Sequence, residues 1–185
     1  QWTKAGAINN VELHYSINGG IAGGGGYSSC LPAASCLIAT VPATPSNYSW
    51  TVPDAIGSNL RVRVRDANNA NVWDESDTAF GIRGSATLTA PIGTSVWISG
   101  DQHAIRWDRI GTIGNVDLAY SRDNFASENV SIASGVSSSN PTDNTYTWTL
   151  PTDNIVSANV KVRVTGTNLL APVTSPAFTV KGKLT

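Results

Sequence analysis

Residues Trp2 to Ser16 (WTKAGAINNVELHYS) return without a gap as Trp107 to Ser121 (WDRIGTIGNVDLAYS). The same residue stands at Trp2/Trp107, Gly6/Gly111, Ile8/Ile113, Asn10/Asn115, Val11/Val116, Leu13/Leu118, Tyr15/Tyr120 and Ser16/Ser121, all at one spacing. Self-similarity at a fixed spacing marks one structural unit used in series, so the chain is bounded by what a single unit can do. Later segments extend the match. Tyr48-Ser-Trp50-Thr-Val52-Pro53 returns as Tyr146-Thr-Trp148-Thr-Leu150-Pro151, Asn59-Leu-Arg-Val62-Arg-Val64 as Asn159-Val-Lys-Val162-Arg-Val164, and Ala79-Phe80 as Ala177-Phe178. The spacing shortens between the first and later matches because the first copy carries a longer glycine-rich insert, residues 19-36. Length changes in loops between fixed strands are how a folded module tolerates insertion. The repeat therefore divides the 185 residues into two domains, 1-83 and 84-185, each large enough to bury its own core.

Both copies read as strands. Val11-Glu-Leu13-His-Tyr15, Leu60-Arg-Val62-Arg-Val64-Arg and Val160-Lys-Val162-Arg-Val164 alternate apolar with polar residues. Successive side chains of a strand point to opposite faces, so this alternation gives one buried and one wet face, as in the antiparallel sheets of a sandwich. Tyr48, Trp50 and Val52 fall on one face, as do Tyr146, Trp148 and Leu150, and each run ends at a proline that cannot donate to a ladder. No segment carries a capped helical period. The second copy supplies strands over Leu88 to Ile98, Gln102 to Trp107, Asn115 to Ser121, Thr145 to Leu150, Asn159 to Val164 and Ala177 to Val180. The expected fold is all-β: two tandem immunoglobulin/fibronectin-like β-sandwich domains. The expected core is Trp2, Tyr15, Trp50, Val62 and Phe80 in the first domain and Trp107, Tyr120, Trp148, Val162 and Phe178 in the second.

The first copy opens at Trp2, whereas strand-like sequence runs ahead of the matching Trp107. The first domain is thus expected to lack its N-terminal strand or strands. A sandwich missing a strand exposes unpaired backbone and core side chains, which is unfavourable unless something fills the gap. At the other end, Val180-Lys-Gly182-Lys-Leu-Thr185 echoes Ile82-Arg-Gly84, the lead into the second domain. Two accounts fit: these residues are a window on a longer tandem array, or the open edge receives a strand from a neighbouring subunit.

A formal charge of -1 with 14% charged residues leaves no basic footprint for nucleic acid and no polybasic patch for a membrane surface. No apolar run is long enough to span a bilayer, so no direct membrane insertion is expected. No signal-peptide pattern opens the chain, and any targeting segment is expected to lie outside these residues. The abundance of Ser, Thr, Asn, Gly and Val with no Met is a habit of secreted all-β proteins and points to the cell exterior or cell surface. Cys30 and Cys36 sit close together in CLPAASC, where a short disulfide would pin the insert; the alternative is two free thiols.

The candidate reactive features are weak. The run Gly19-Gly-Ile-Ala-Gly23-Gly-Gly-Gly26 lacks the Gly-Lys-Ser/Thr and the helix that a phosphate loop needs, and reads as a flexible hairpin insert. Asp66, Asn68, Asn71, Asp74 and Asp77, with Asn69 and Glu75 between them, form an oxygen-rich stretch of the kind calcium takes, but without a full loop motif they read as a solvated turn. Asp101, His103 and Asp108 lie close in sequence without a nucleophile context. Asn47-Tyr-Ser49 and Asn129-Val-Ser131 are glycosylation sequons. No catalytic residue and no cofactor is expected.

The stretch Pro91-Ile-Gly-Thr-Ser-Val-Trp97-Ile-Ser-Gly100-Asp-Gln-His103-Ala-Ile105-Arg-Trp107, with Gly114-Asn-Val-Asp-Leu118 and Tyr146-Thr-Trp148-Thr-Leu150-Pro151, resembles the Ig-like repeat of bacterial surface proteins and of the fungal Ser/Thr-rich, membrane-anchored cell-wall family. The likeness covers nearly all of the second copy and the later part of the first. It implies an extracellular β-sandwich module and says little about ligand or partner. The expectation is a non-enzymatic structural segment of a tandem array or fibre, partnered by neighbouring copies or flanking repeats. The alternative is an accessory module that binds surface glycans or a cell-wall polymer.

Overall fold

A computed structural model describes residues 1–21, 23–24, 26–27 and 36–184. Every regular element among them is a strand, and the chain divides into two compact units, Gln1–Ile82 and Arg83–Thr185.

The second unit is a complete sandwich. Its strands are β6 (Ser85–Ala90), β7 (Val96–Ile98), β8 (Gln102–Ile110), β9 (Val116–Ser121), β10 (Val130–Val136), β11 (Asn144–Thr149), β12 (Ser157–Thr165), β13 (Val173–Thr174) and β14 (Phe178–Lys181). One sheet runs β10-β9-β12-β14-β7 with β13 also on β12; the other runs β11-β8-β6. All pairings are antiparallel except β7, which lies parallel to β14 with Trp97 opposite Val180. The alternating residues meet between the sheets: Trp107, Ile105, Val160, Val162 and Val164 are fully buried, and Tyr120, Trp148 and Phe178 join them. Trp97, which sequence reading placed only within a strand, is also core, with its ring 4.7 Å from Phe178 and edge-on to Trp148. The Trp107 indole is buried at no polar loss because its Nε1 donates to the Ser138 hydroxyl at 2.9 Å.

The first unit builds one sheet from β1 (Asn10–Ser16), β2 (Leu37–Pro42), β3 (Gly57–Asp66), β4 (Asn69–Glu75) and β5 (Phe80–Ile82), ordered β2-β1-β3-β4 with β5 on the start of β3. These are the counterparts of β10, β9, β12, β13 and β14. The stretches that correspond to β8 and β11, around Trp2 and over 46–51, are not strands. Tyr48, Trp50 and Val52, expected on a strand, lie in irregular backbone, with Tyr48 and Val52 exposed. The reason is physical: in the second unit β11 is held by β8, itself a central strand backed by β6, whereas in the first unit only the Trp2 segment stands in that place. One remnant of the ladder survives, the bond from the Trp2 amide to the Ser46 carbonyl at 3.1 Å, which repeats the pairing of Trp107 with Asn144. The core is correspondingly divided into two small clusters, one around Tyr15, Cys36, Ala55 and Leu60 and one around Val11, Leu13 and Ala43. Trp2, Trp50, Val62 and Phe80 pack against these clusters but stay half-buried, while Trp107, Trp148, Val162 and Phe178 are buried.

Two small polar devices recur in both units. Ser16 and Ser121, each fully buried at a strand end, accept backbone N–H bonds that turn the chain: from Asn18 and Gly20 in the first unit, from Asp123 and Phe125 in the second. The Ser76 and Ser175 amides donate to the carbonyls of Val62 and Val162, and their hydroxyls accept the N–H groups of the same two valines. The shared Gly6 and Gly111 both take positive φ, +84° and +78°, and each accepts a bond from the amide two residues on, a turn that suits glycine because it has no Cβ.

The Ser175 hydroxyl sits 3.0 Å from a buried Val162 amide that has no route to water. Ser175→Ala is expected to destabilise the second unit by roughly 1–3 kcal/mol, the penalty for a buried amide left unpaired, seen as a lowered denaturation midpoint with unchanged slope.

Candidate functional site

In the first unit the inner face of the sheet is open only towards β4, while Val11, Leu13, Tyr15 and Leu60 on the same face are buried. Val11, Val62 and Val64 point to this face from β1 and β3, Ile8 and Trp2 approach from the N-terminal segment, and Val72 and Trp73 stand on β4. Between the N-terminal segment and β4 they line an open cavity of about 450 Å³. The matching space in the second unit is occupied by β6, which pairs with β8 on one side and runs beside β13 on the other. Trp2 Nε1 lies at the cavity without a hydrogen-bond partner, where its counterpart Trp107 has Ser138. Val72 and Trp73 are each 42% exposed, and the rim carries Asp66, Asp74 and Asp77 with Lys4 opposite. Fully burying a side chain of valine or phenylalanine size is worth roughly 1.5–3 kcal/mol, so several half-covered side chains leave a substantial driving force for occupancy.

The other face of this sheet is polar and already satisfied. Glu12 on β1 is gripped by Arg65 on β3 through Nε at 3.0 Å and through Nη2, and also meets the His14 ring at 3.2 Å. Arg61 bonds the Ser76 carbonyl, and Arg63 stacks over the Tyr27 ring at 4.2 Å. Glu75 accepts from the Ile21 amide and from the Tyr27 hydroxyl, both at 3.0 Å, tying the described part of the glycine-rich insert to β4. Among its described residues the stretch closes through an antiparallel bridge between Gly20 and Gly26. Gly23 donates to Gly19 and Gly26 to Gly20, and a Cβ on Gly23 would stand 2.7 Å from the Gly19 backbone, so glycine is required by close approach. Burial and the Glu75 carboxylate push the Tyr27 hydroxyl up well beyond the ordinary phenol range.

The other expected sites scatter. Asp66 and Asn69 pair at the β3–β4 hairpin, where the Asn68 amide bonds the Asp66 side chain and the Asn71 amide bonds that of Asn69. The oxygen-rich stretch is thus a tight hairpin whose second half is strand β4, an element hidden by its polar composition. Among the described residues no three His, Cys, Asp or Glu side chains are grouped to hold a metal. Asp101 pairs with Lys183 at 3.1 Å, Asp108 accepts the Asp143 amide, and His103 stacks flat on Trp97 at 4.6 Å, so these three converge on no common point. Asn47 and Asn129 are exposed. Cys36 is buried, while Cys30 lies outside the described residues.

No protein-family model matches the chain, and no curated protein matches it. Among solved structures it is similar to the fibronectin(III)-like modules of Clostridium thermocellum CbhA, at 17% identity over 98% of this chain and 83% of that one, with a TM-score of 0.38. It is also similar to a chimeric titin Z1Z2 tandem, at 15% identity over 96% and 87% of the two chains, with a TM-score of 0.32. The immunoglobulin/fibronectin-like assignment rests on the sheet order and the paired sheets described above. No helix among the described residues is long and apolar enough to cross a membrane.

The polar face is expected to make the first unit sensitive to acid. The bond from Arg65, then that from His14, holds the Glu12 carboxyl below its usual 4.5, and burial lowers the His14 imidazole from its usual 6.5. An unfolded chain takes up a proton on His14 before the folded chain does, so stability falls as pH drops through the ordinary histidine value. The Glu12 contribution is present above its ordinary value and is lost below it. Both signs agree. Stability of the first unit is expected to decline in two stages between about pH 7 and pH 3, and His14→Gln is expected to remove the upper stage, read from hydrogen exchange of the β1 amides across a pH series.

Proposed function

We propose that this chain is a non-enzymatic structural segment of the cell exterior: two links of an array or fibre built from one Ig-like repeat and joined end to end by β-strand addition. The observation that carries this reading is the role of the repeated residues. The shared tryptophans, tyrosines and valines pack in both units, the shared glycines turn the chain, and the shared serines hold backbone amides. What the sequence uses twice is scaffold, and none of it gathers into a nucleophile, base and orienter. The resemblance to bacterial surface and fungal cell-wall repeats supports the same setting, as does the composition. In that setting Cys30 and Cys36 form a disulfide that closes the glycine-rich insert.

Immunogold electron microscopy of the producing cells, with an antibody raised against this chain, is expected to decorate regular surface filaments or extended arrays along their length. Diffuse labelling together with saturable retention on a glycan array overturns the reading in favour of an accessory binding module. The disulfide is checked separately. The intact chain is expected to be lighter than its reduced form by two hydrogens and to resist thiol alkylation until reduced; immediate alkylation of both cysteines rules the bridge out.

A further inference from the structure

We infer that the outer edge of β11 in the second unit is a docking site for a second copy of this chain, the two β11 strands pairing antiparallel about a two-fold axis. The site lies wholly within the second unit and goes beyond the proposed array.

An open strand edge offers unpaired backbone N–H and C=O groups, and folded proteins blunt such edges with short strands, bulges, charge or proline. Among the described strand edges all but one are blunted in these ways. β5 and β7 have three residues each and β13 has two. β6 breaks register between Leu88 and Ala90, while β10 breaks register twice and holds Gly135 at φ +67°. β2 breaks register opposite Leu13 and His14 and closes at Pro42. β4 breaks register opposite Arg65 and Asp66 and carries the exposed Asp74. β11, by contrast, follows β8 without a break, from Asn144 opposite Trp107 to Thr149 opposite Gln102. Its sequence, NTYTWT, contains no charge, proline or glycine.

The backbone on this edge is free to pair. β8 lies on one side of β11, and no described strand lies on the other. The Leu150 amide, next after the strand, donates towards β8, to the Asp101 carbonyl at 3.0 Å. In a regular antiparallel ladder alternate residues turn their backbone groups the same way, so Tyr146 and Trp148 face β8 while Thr145, Thr147 and Thr149 face outward. The same three threonines have exposed side chains.

What such an edge fits is itself. With Thr147 opposite the copy's Thr147, and Thr145 opposite its Thr149, each outward N–H meets an outward C=O and each threonine pair exchanges two backbone bonds. Threonines are favourable cross-strand neighbours, and neither strand carries a charge that opposes the approach. One patch meeting its own image is the self-complementary contact of a two-fold dimer. The sheet β6-β8-β11 of one chain then continues as β11-β8-β6 of the other.

The test is sedimentation and amide hydrogen exchange of the full chain over a concentration series reaching about 1 mM. A dimer is expected, and as it forms the amides of Thr145, Thr147 and Thr149 gain about tenfold protection or more, while those of Tyr146 and Trp148 exchange slowly throughout. Thr147→Lys and Thr147→Asp each set like charges face to face on an exposed site. Each is expected to keep the far-UV spectrum and to weaken the dimer about tenfold or more, and mixing the two variants is expected to restore it. A chain that stays monomeric overturns the proposal, as does a dimer that leaves the three threonine amides unprotected, tolerates both substitutions or is not restored by mixing. Immunogold-decorated filaments together with a monomeric chain would leave the array standing and remove this joint.

Discussion

A β-sheet that is apolar on one face has to cover that face, and this requirement organises the whole chain. In the second unit it is met internally, by a three-stranded sheet that brings Trp107, Ile105, Trp148 and Leu150 down onto the valines of β12. In the first unit the same valines and tryptophans occur in the same order, but only an N-terminal segment and an irregular stretch around Trp50 lie over them. The two units therefore share one pattern of apolar residues and differ in what lies over it. Each buried side chain adds only a few kcal/mol, yet natural domains survive on margins of about 5–15 kcal/mol, so loss of a covering strand is a large fraction of a unit's stability.

Polar groups follow the same repeat as the core. Ser16 and Ser121 end matching strands with a hydroxyl that gathers amides from the following turn, and Ser76 and Ser175 clasp the valine at the middle of matching strands from both its N–H and its C=O. Ser76 stands in the gap between β4 and β5 along β3, and Ser175 in the gap between β13 and β14 along β12, where the valine amide has no strand partner. A serine placed in each gap satisfies it without adding bulk. These devices explain why hydroxyl residues sit fully buried in a chain whose other buried residues are mostly apolar.

Much of this was legible in the sequence. Alternation over Val11–Tyr15 and Leu60–Val64 located β1 and β3, and the pairing of segments located their counterparts. What was hidden had specific causes. Strand β4 is made of Asn, Ala, Val, Trp, Asp and Glu residues that stay largely exposed on a sheet edge, so no inward alternation marks it. The Tyr48–Val52 run has a good strand pattern but needs a neighbouring strand to pair with, and local pattern cannot report a missing neighbour. Trp97 belongs to a three-residue strand, too short for a period to show. The glycine-rich insert reads as loose because glycine is permissive, while its actual requirement is backbone contact between Gly19 and Gly23.

The acidic rim along β4 has a consequence for how such a molecule avoids its own kind. An edge strand invites another edge strand, and two first units meeting along β4 would bring the exposed Asp74 of one against the same carboxylate of the other. Like charges facing across a ladder resist that symmetric union. A sheet margin that carries its own repulsion in this way is kept from adding a copy of itself.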